Sequence, residues 1–232
     1  MHKDQIHNHP LQNQSKTTLK ILQWNTRSLS KEKLDQLLMY IKVKDTHVIC
    51  LQETHLDQES TLWVEGYELY RKERSSGRKG GGVAILVRKD VKHNFIIPKE
   101  YPNEVDVVGV KISLKDRETL TIYSFYNPNG NQEAKEFLTE IAPKMIHQKI
   151  IIAGDFNAHS PTWGGKKTNK AGQFLENLLN EFPEMSIATP HGMKTYYEYK
   201  TNLFSTIDLQ LLPNKLSRYS KRIVPLSHQS SV

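Results

Sequence analysis

The chain has 232 residues, and its 32 lysines and arginines outnumber 25 acidic residues to give a net charge of +7: enough length for one sizeable core, with the sign expected of a protein that approaches phosphates. Cys50 is the only cysteine, which excludes an intramolecular disulfide and a thiolate zinc site. No apolar run approaches the roughly 20 residues that a bilayer demands, and the start of the chain lacks the apolar core of a secretory signal, so a soluble intracellular protein with no membrane partner is expected.

Residues 1–18 are polar, with His2, His7 and His9 among Asn, Gln and Lys and no helical or strand periodicity. The sequence therefore predicts a disordered tail over 1–18 and one folded domain over 19–232. From Leu19 the pattern changes. Leu19 to Trp24 reads as a strand, Leu34, Leu37, Leu38 and Ile41 fall on one face of a helix, and Val48 to Gln52 reads as a second strand. Three glycines, Gly80 to Gly82, lead into the apolar run Val83 to Val87, a buried strand after a flexible loop.

Strands are next predicted at Val105 to Leu114 and Leu120 to Phe125. The Asn127-Pro128-Asn129-Gly130 loop follows, and then a helix carrying Phe137, Leu138, Ile141 and Met145. Ile150 to Ala153 is an apolar strand, Phe174, Leu175, Leu178 and Leu179 mark a helix, and Ile207 to Leu212 is a late strand. Strands outnumber helices and lie both adjacent and separated by helices, which fits a mixed α/β sandwich better than a strictly alternating doubly wound sheet.

Polar residues stand at the ends of these strands, where a rigid sheet holds them towards one edge. Asn25 follows Trp24, Gln52 and Glu53 follow Leu51, and Asp155 and Asn157 follow Ala153 and Gly154. Glu53 is a suitable hard ligand for magnesium, or a strand-end charge in water. Asp155-Phe156-Asn157 is either a turn or one titratable group beside one uncharged donor, a pair suited to phosphoryl chemistry. Asp208 lies between Ile207 and Leu209, where an unpaired buried charge is expensive; either it has a partner, for which His228 is the candidate, or it points outward from an edge strand. Arg71, Lys72, Arg74, Arg78 and Lys79, and then Lys166, Lys167 and Lys170, form two basic stretches read either as loops that track a DNA backbone or as solvated surface charge.

Taken in order, Gln23-Trp24-Asn25, Leu51-Gln52-Glu53-Thr54, Tyr126-Asn127-Pro128-Asn129, Gly154-Asp155-Phe156-Asn157, Ser205-Thr206-Ile207-Asp208 and Ser227-His228 resemble the motifs of the endonuclease/exonuclease/phosphatase superfamily, which includes apurinic/apyrimidinic endonucleases and pancreatic deoxyribonuclease. Within it, Asp155-Phe156-Asn157-Ala158-His159 with Trp163-Gly164, Gln52-Glu53-Thr54-His55-Leu56 and Gly81-Gly82-Val83-Ala84-Ile85 are similar to the endonuclease domains of jockey- and R1-like non-LTR retrotransposons.

The resemblance implies a DNase-like α/β fold, a four-layered sandwich of two packed mixed β-sheets flanked by helices. It also implies a metal-dependent endonuclease acting on DNA. Glu53 would bind magnesium (or manganese), with Asn25 close to metal and phosphate, and Tyr126 would contact the phosphate. Asp155 would activate the water or protonate the leaving oxygen, Asn157 would hold phosphate or water, and Asp208 would orient His228. The products would be a 3′-hydroxyl, which primes reverse transcription, and a 5′-phosphate. A reverse transcriptase domain is expected in a full-length element, and a DNA substrate implies a nuclear location.

Two departures stand out. Pro225-Leu226-Ser227-His228-Gln229 lacks the aspartate of the family's Ser-Asp-His ending, and Arg27 stands where apurinic endonucleases carry an aspartate. The first keeps open an inactive retroelement remnant that binds nucleic acid, and because the superfamily's shared site acts on several phosphodiesters, a phosphodiesterase or phosphatase of the same superfamily with a non-DNA substrate stays open as well.

Overall fold

The computed structural model describes residues 18–57, 59–73, 80–96, 105–128, 134–198 and 202–217. The first sheet is built from β1 (Ile21–Asn25), β2 (Val48–Gln52), β3 (Tyr67–Lys72) and β4 (Val83–Arg88) in the order β1-β2-β4-β3. β1 and β2 run parallel, the crossover helix α1 (Lys31–Lys44) lying between them in sequence, and the remaining pairs are antiparallel.

The second sheet contains β5 (His93–Ile96), β6 (Asp106–Ser113), β7 (Thr119–Tyr126), β8 (Ile150–Asp155), β9 (Met185–Ile187) and a later strand, β12 (Asp208–Pro213), in the order β5-β6-β7-β8-β12-β9. β7 and β8 are its parallel pair, linked through α2 (Ala134–His147), and α3 (Lys170–Glu181) follows β8. A small hairpin, β10 (Tyr196–Glu198) with β11 (Leu203–Ser205), precedes β12, and a short α4 (Asn214–Ser217) follows it.

Period-two alternation divides the interior into three apolar layers. Val48 and Cys50 of β2 face the second sheet and pack with Ile122, Ile151 and Ala153, while Ile49 and Leu51 face outward against Leu37 and Ile41 of α1. On the second sheet Ile150, Ile152, Leu209 and Leu211 turn the other way, against Phe137 and Met145 of α2 and Leu175 and Leu178 of α3. Helix, sheet, sheet and helices make the four layers expected from the sequence. Burial on both faces explains why β2 and β4 read as near-continuous apolar runs. Among the described residues no helix is long and apolar enough to cross a membrane.

Three expectations are corrected. Leu38 lies on the flank of α1 and is exposed, because the buried seam runs through Leu34, Leu37 and Ile41. Asp208 does not stand on an edge: β12 is flanked by β8 and β9. Arg71 and Lys72 belong to β3 rather than to a loop, and Arg71 donates to the Ser60 carbonyl at 2.9 Å and pairs with Glu73 at 3.1 Å. Arg74, Arg78 and Lys79, like the tail at 1–17, lie outside the described residues. Lys166, Lys167 and Lys170 are exposed, the last opening α3.

The close approach of β7 and β8 depends on Gly154. A Cβ there would lie 1.8 Å from the Phe125 carbonyl oxygen, against backbone that has no room to withdraw. Gly154→Ala is expected to destabilise the domain by at least the upper end of about 1–3 kcal/mol, read as a lowered urea midpoint; an unchanged midpoint would contradict this packing.

Candidate active site

The alternation that sorts the apolar residues also gathers the polar ones. Gln23 and Asn25 of β1, Gln52 of β2, Ser124 and Tyr126 of β7, Asp155 of β8 and Asp208 of β12 all occupy inward-facing parity between the sheets. β1, β2, β7 and β8 end at the same edge, and antiparallel β12 begins there, so Asp155 is paired in register with both Tyr126 and Asp208. Hence residues far apart in sequence reach one site.

At its centre the Asn25 amide donates to Glu53 Oε1 at 2.6 Å and to Asp155 Oδ2 at 2.7 Å. The Arg27 N–H donates to Asn25 Oδ1 at 3.0 Å, which fixes the orientation of that amide. Asp155 Oδ1 accepts the Asn157 N–H at 2.8 Å, while the Asn157 side chain donates to the Asn127 carbonyl at 2.9 Å. The Asn127 side chain donates to the Phe156 carbonyl at 3.1 Å, tying the loop after β7 to the loop after β8. Glu53 is half-buried, with His55 Nε2 at 3.8 Å from its second carboxylate oxygen.

Behind this triangle runs a buried relay that joins the sheets. Ser124 Oγ donates to the Leu51 carbonyl at 3.0 Å and accepts from Gln52 Nε2 at 2.8 Å. Gln23 Nε2 donates to Gln52 Oε1 at 3.3 Å and to Asp208 Oδ1 at 3.0 Å. The Asp208 N–H is taken up by Thr195 Oγ1 at 3.1 Å. Asp208 therefore has buried partners in Gln23 and Thr195; His228 lies outside the described residues. Removing the amide takes one donor from the buried Asp208 carboxyl and leaves the buried Gln52 Oε1 without its Gln23 donor, so Gln23→Leu is expected to lower the urea midpoint by the equivalent of about 1–3 kcal/mol. A midpoint equal to that of the parent would show that the relay carries no stability.

Burial raises the pKa of Asp155 well above the ordinary carboxylate range, and the charges of Asp208 and Glu53 add to the shift; the Asn157 N–H and the Asn25 amide oppose it. Burial likewise pushes Asp208 up to about 7, against Thr195, Gln23 and the charge of Arg27. Backbone strain collects here too: Arg27, Ser28, Glu53, His55 and Asn157 account for five of the nine non-glycine residues with positive φ among the described residues.

The donor set fits a divalent cation. Glu53 and Asp155 each hold a carboxylate oxygen within 2.7 Å of the Asn25 amide nitrogen, so two carboxylates stand side by side at this edge, the like charges adding to the effect of burial on Asp155. Carboxylate oxygens are the hard ligands that magnesium and manganese take, with water filling the remaining positions.

Of the sequence-derived candidates, Asn25, Glu53, Tyr126, Asp155, Asn157 and Asp208 thus meet at one edge. Gln23, Ser124 and Thr195 were missed. The signal for the first two was present: each is a lone polar residue between apolar neighbours in a buried strand, at the parity shared with Asn25 and Asp155. Thr195 precedes a hairpin and carries no such mark.

Comparison with known proteins agrees with this architecture. The chain is 26% identical over 183 residues to the RNA-directed DNA polymerase from mobile element jockey of Drosophila melanogaster, covering 78% of this chain and 19% of that protein. It is 29% identical over 190 residues to the probable RNA-directed DNA polymerase from transposon X-element of the same organism, with the same coverages. The chain thus spans about a fifth of the length of these curated relatives. Among solved structures, the endonuclease domain of TRAS1, a telomere-specific non-LTR retrotransposon, superposes with a TM-score of 0.67 at 21% identity, covering 86% of this chain and 87% of that one. The AP endonuclease LMAP from Leishmania major gives a TM-score of 0.70 at 14% identity, covering 87% and 80%. These solved structures share the fold, and the resemblance to jockey-like retroelement endonucleases is borne out. The Endonuclease/Exonuclease/phosphatase family model matches residues 22–231. A match running from the first strand almost to the last residue is more than shared architecture: the chain belongs to the Endonuclease/Exonuclease/phosphatase family and is a hydrolytic enzyme of it.

Proposed function

We propose that the chain is a magnesium- or manganese-dependent DNA endonuclease that nicks one strand to leave a 3′-hydroxyl and a 5′-phosphate, the 3′-hydroxyl serving as primer for a reverse transcriptase. The observation that carries this reading is the Asn25 amide held between the carboxylates of Glu53 and Asp155, at a sheet edge where Tyr126 and Asp208 are the register partners of Asp155.

Glu53 and Asn25 would hold the cation, which when bound supplies positive charge to the phosphoryl oxygens. Tyr126 and Asn157 hold the phosphate. Asp155, buried and neutral-leaning in the free protein, exchanges a proton at a carboxylate oxygen with the attacking water or the leaving oxygen. Asp208 orients His228, which stabilises the charge that builds on the phosphoryl group. The substrate and its use as a primer place the protein in the nucleus beside a reverse transcriptase domain.

Two measurements test this. Nicked plasmid should be extended directly by a DNA polymerase without phosphatase treatment, and ends that require a phosphatase first would contradict the assigned polarity. Magnesium or manganese should raise the melting temperature of the parent by RT ln(1 + [L]/Kd) in stability units, and Glu53→Gln should remove most of that rise; an undiminished rise would put the cation elsewhere.

A further inference from the structure

We propose that Arg27 is a phosphate-binding residue, gripping a nucleic-acid backbone phosphate beside the scissile one at the rim of the site. This rests on the DNA-cleavage reading and adds a contact to it. Arg27 is half-buried, and through its side chain it makes no hydrogen bond or ion pair among the described residues; its guanidinium lies over the face of Tyr196, 4.5 Å from the ring centroid. A guanidinium carries five N–H donors in a planar fork, and stacking on an aromatic face leaves that fork open in its own plane. Yet the charge bears on Asp208 inside the site. The result is a stacked fork close enough for its charge to act on Asp208 but in no ion pair among the described residues. Its geometry suits a phosphodiester, which Arg takes through two parallel hydrogen bonds.

The loop that presents Arg27 is built to stay in place. Arg27 and Ser28 are left-handed, with φ of 43° and 72°, a conformation that non-glycine residues keep only when their surroundings impose it. Lys33 imposes it: its ammonium donates to the carbonyls of Thr26, Arg27 and Ser28 at 2.6, 2.9 and 3.0 Å, using all three of its hydrogens. The Thr26 N–H donates to the Gln52 carbonyl at 2.8 Å and the Ser28 N–H to the Glu53 carbonyl at 2.7 Å, so the segment bearing Arg27 is bolted to the segment bearing Glu53. A strained segment held by this many bonds, with an unsatisfied Arg at its tip, indicates a ligand contact.

The test is binding of a duplex oligonucleotide in EDTA, followed by fluorescence anisotropy over a salt series, for the parent, R27Q and R27K. Each phosphate neutralised contributes roughly 0.9 to the slope of log affinity against log salt. R27Q should therefore flatten the slope by about 0.9, so that a fourfold rise in salt costs the parent about threefold more affinity than the variant. R27K keeps the charge and should keep the slope. If Arg27 only props the hairpin through Tyr196, R27Q will weaken binding at every salt concentration along the parent's slope, and that result overturns the proposal. A flattened slope in R27K overturns it as well. Failure of the parent to bind DNA at all removes the DNA-cleavage reading together with this one.

Discussion

Asp155→Asn is expected to lower the rate of DNA nicking by about 10²- to 10⁴-fold, the range lost with a positioned general acid or base, while the domain still folds. The carboxyl is buried and accepts from both the Asn157 N–H and the Asn25 amide. An asparagine fits the same volume and retains one oxygen acceptor, but it carries no exchangeable proton of useful pKa. Burial and the neighbouring acids raise the pKa of Asp155, so the neutral amide removes a charge that is costly to bury, which offsets the acceptor it loses, and the domain should still melt cooperatively in EDTA. Single-turnover nicking and a thermal melt in EDTA read the two effects separately. Retention of more than about a tenth of the parental rate would remove Asp155 from the proton-transfer role; loss of folding would make it a structural residue.

The second large effect concerns pH. Asp155 and Asp208 both have folded-state pKa values above their unfolded ones, that of Asp208 reaching about 7 against an unfolded value of about 3.9. The native state therefore binds these protons more tightly than the unfolded chain, and the stability they contribute is fully present below about pH 4 and is lost as pH rises through about 7. Metal-free protein should accordingly melt several degrees higher near pH 5 than near pH 8, the reverse of a domain held together by salt-bridged carboxylates. His47 acts in the opposite direction, since burial lowers its pKa and its contribution is lost as pH falls below its ordinary range near 6.5. Subtracting the melting curve of Asp155→Asn/Asp208→Asn from that of the parent isolates the two carboxyls, and a flat difference between pH 5 and pH 8 would contradict their assigned pKa shifts. A divalent cation should stabilise the parent more at pH 8 than at pH 5, because it competes with these same protons.

The sequence disclosed the interior of the fold better than its borders. β2, β4 and β8 were legible because each lies inside a sheet with both faces covered and is mostly apolar along its length, and β12 because Leu209, Leu211 and Leu212 flank Gln210. β3, β5 and β9 stand at sheet edges, and β10 and β11 form an isolated two-stranded hairpin. Their sequences, such as Tyr67-Glu68-Leu69-Tyr70-Arg71-Lys72, are mixed because edges and exposed faces tolerate and even require charge. That is also why Arg71 and Lys72 passed for loop residues.

The candidate site was legible for a related reason: Asn25, Glu53, Asp155 and Asp208 interrupt or terminate apolar strands, and such interruptions demand partners. What those partners are depends on register between strands distant in sequence. Gln23 meets Asp208 across 185 positions, and no local pattern announces it. Arg27 was marked as a departure from a family motif, but its stacking on Tyr196 depends on where the hairpin folds back.

Conversion of supercoiled plasmid to nicked circles by the purified chain in magnesium, compared with EDTA and with Glu53→Ala and Asp155→Asn, decides whether the chain is a metal-dependent DNA endonuclease using this site. Nicked circles are expected from the parent in magnesium, none in EDTA, and a reaction slower by at least about 10²-fold from either variant. A folded parent that binds plasmid and leaves it supercoiled in magnesium, or variants that nick as fast as the parent, would contradict that assignment.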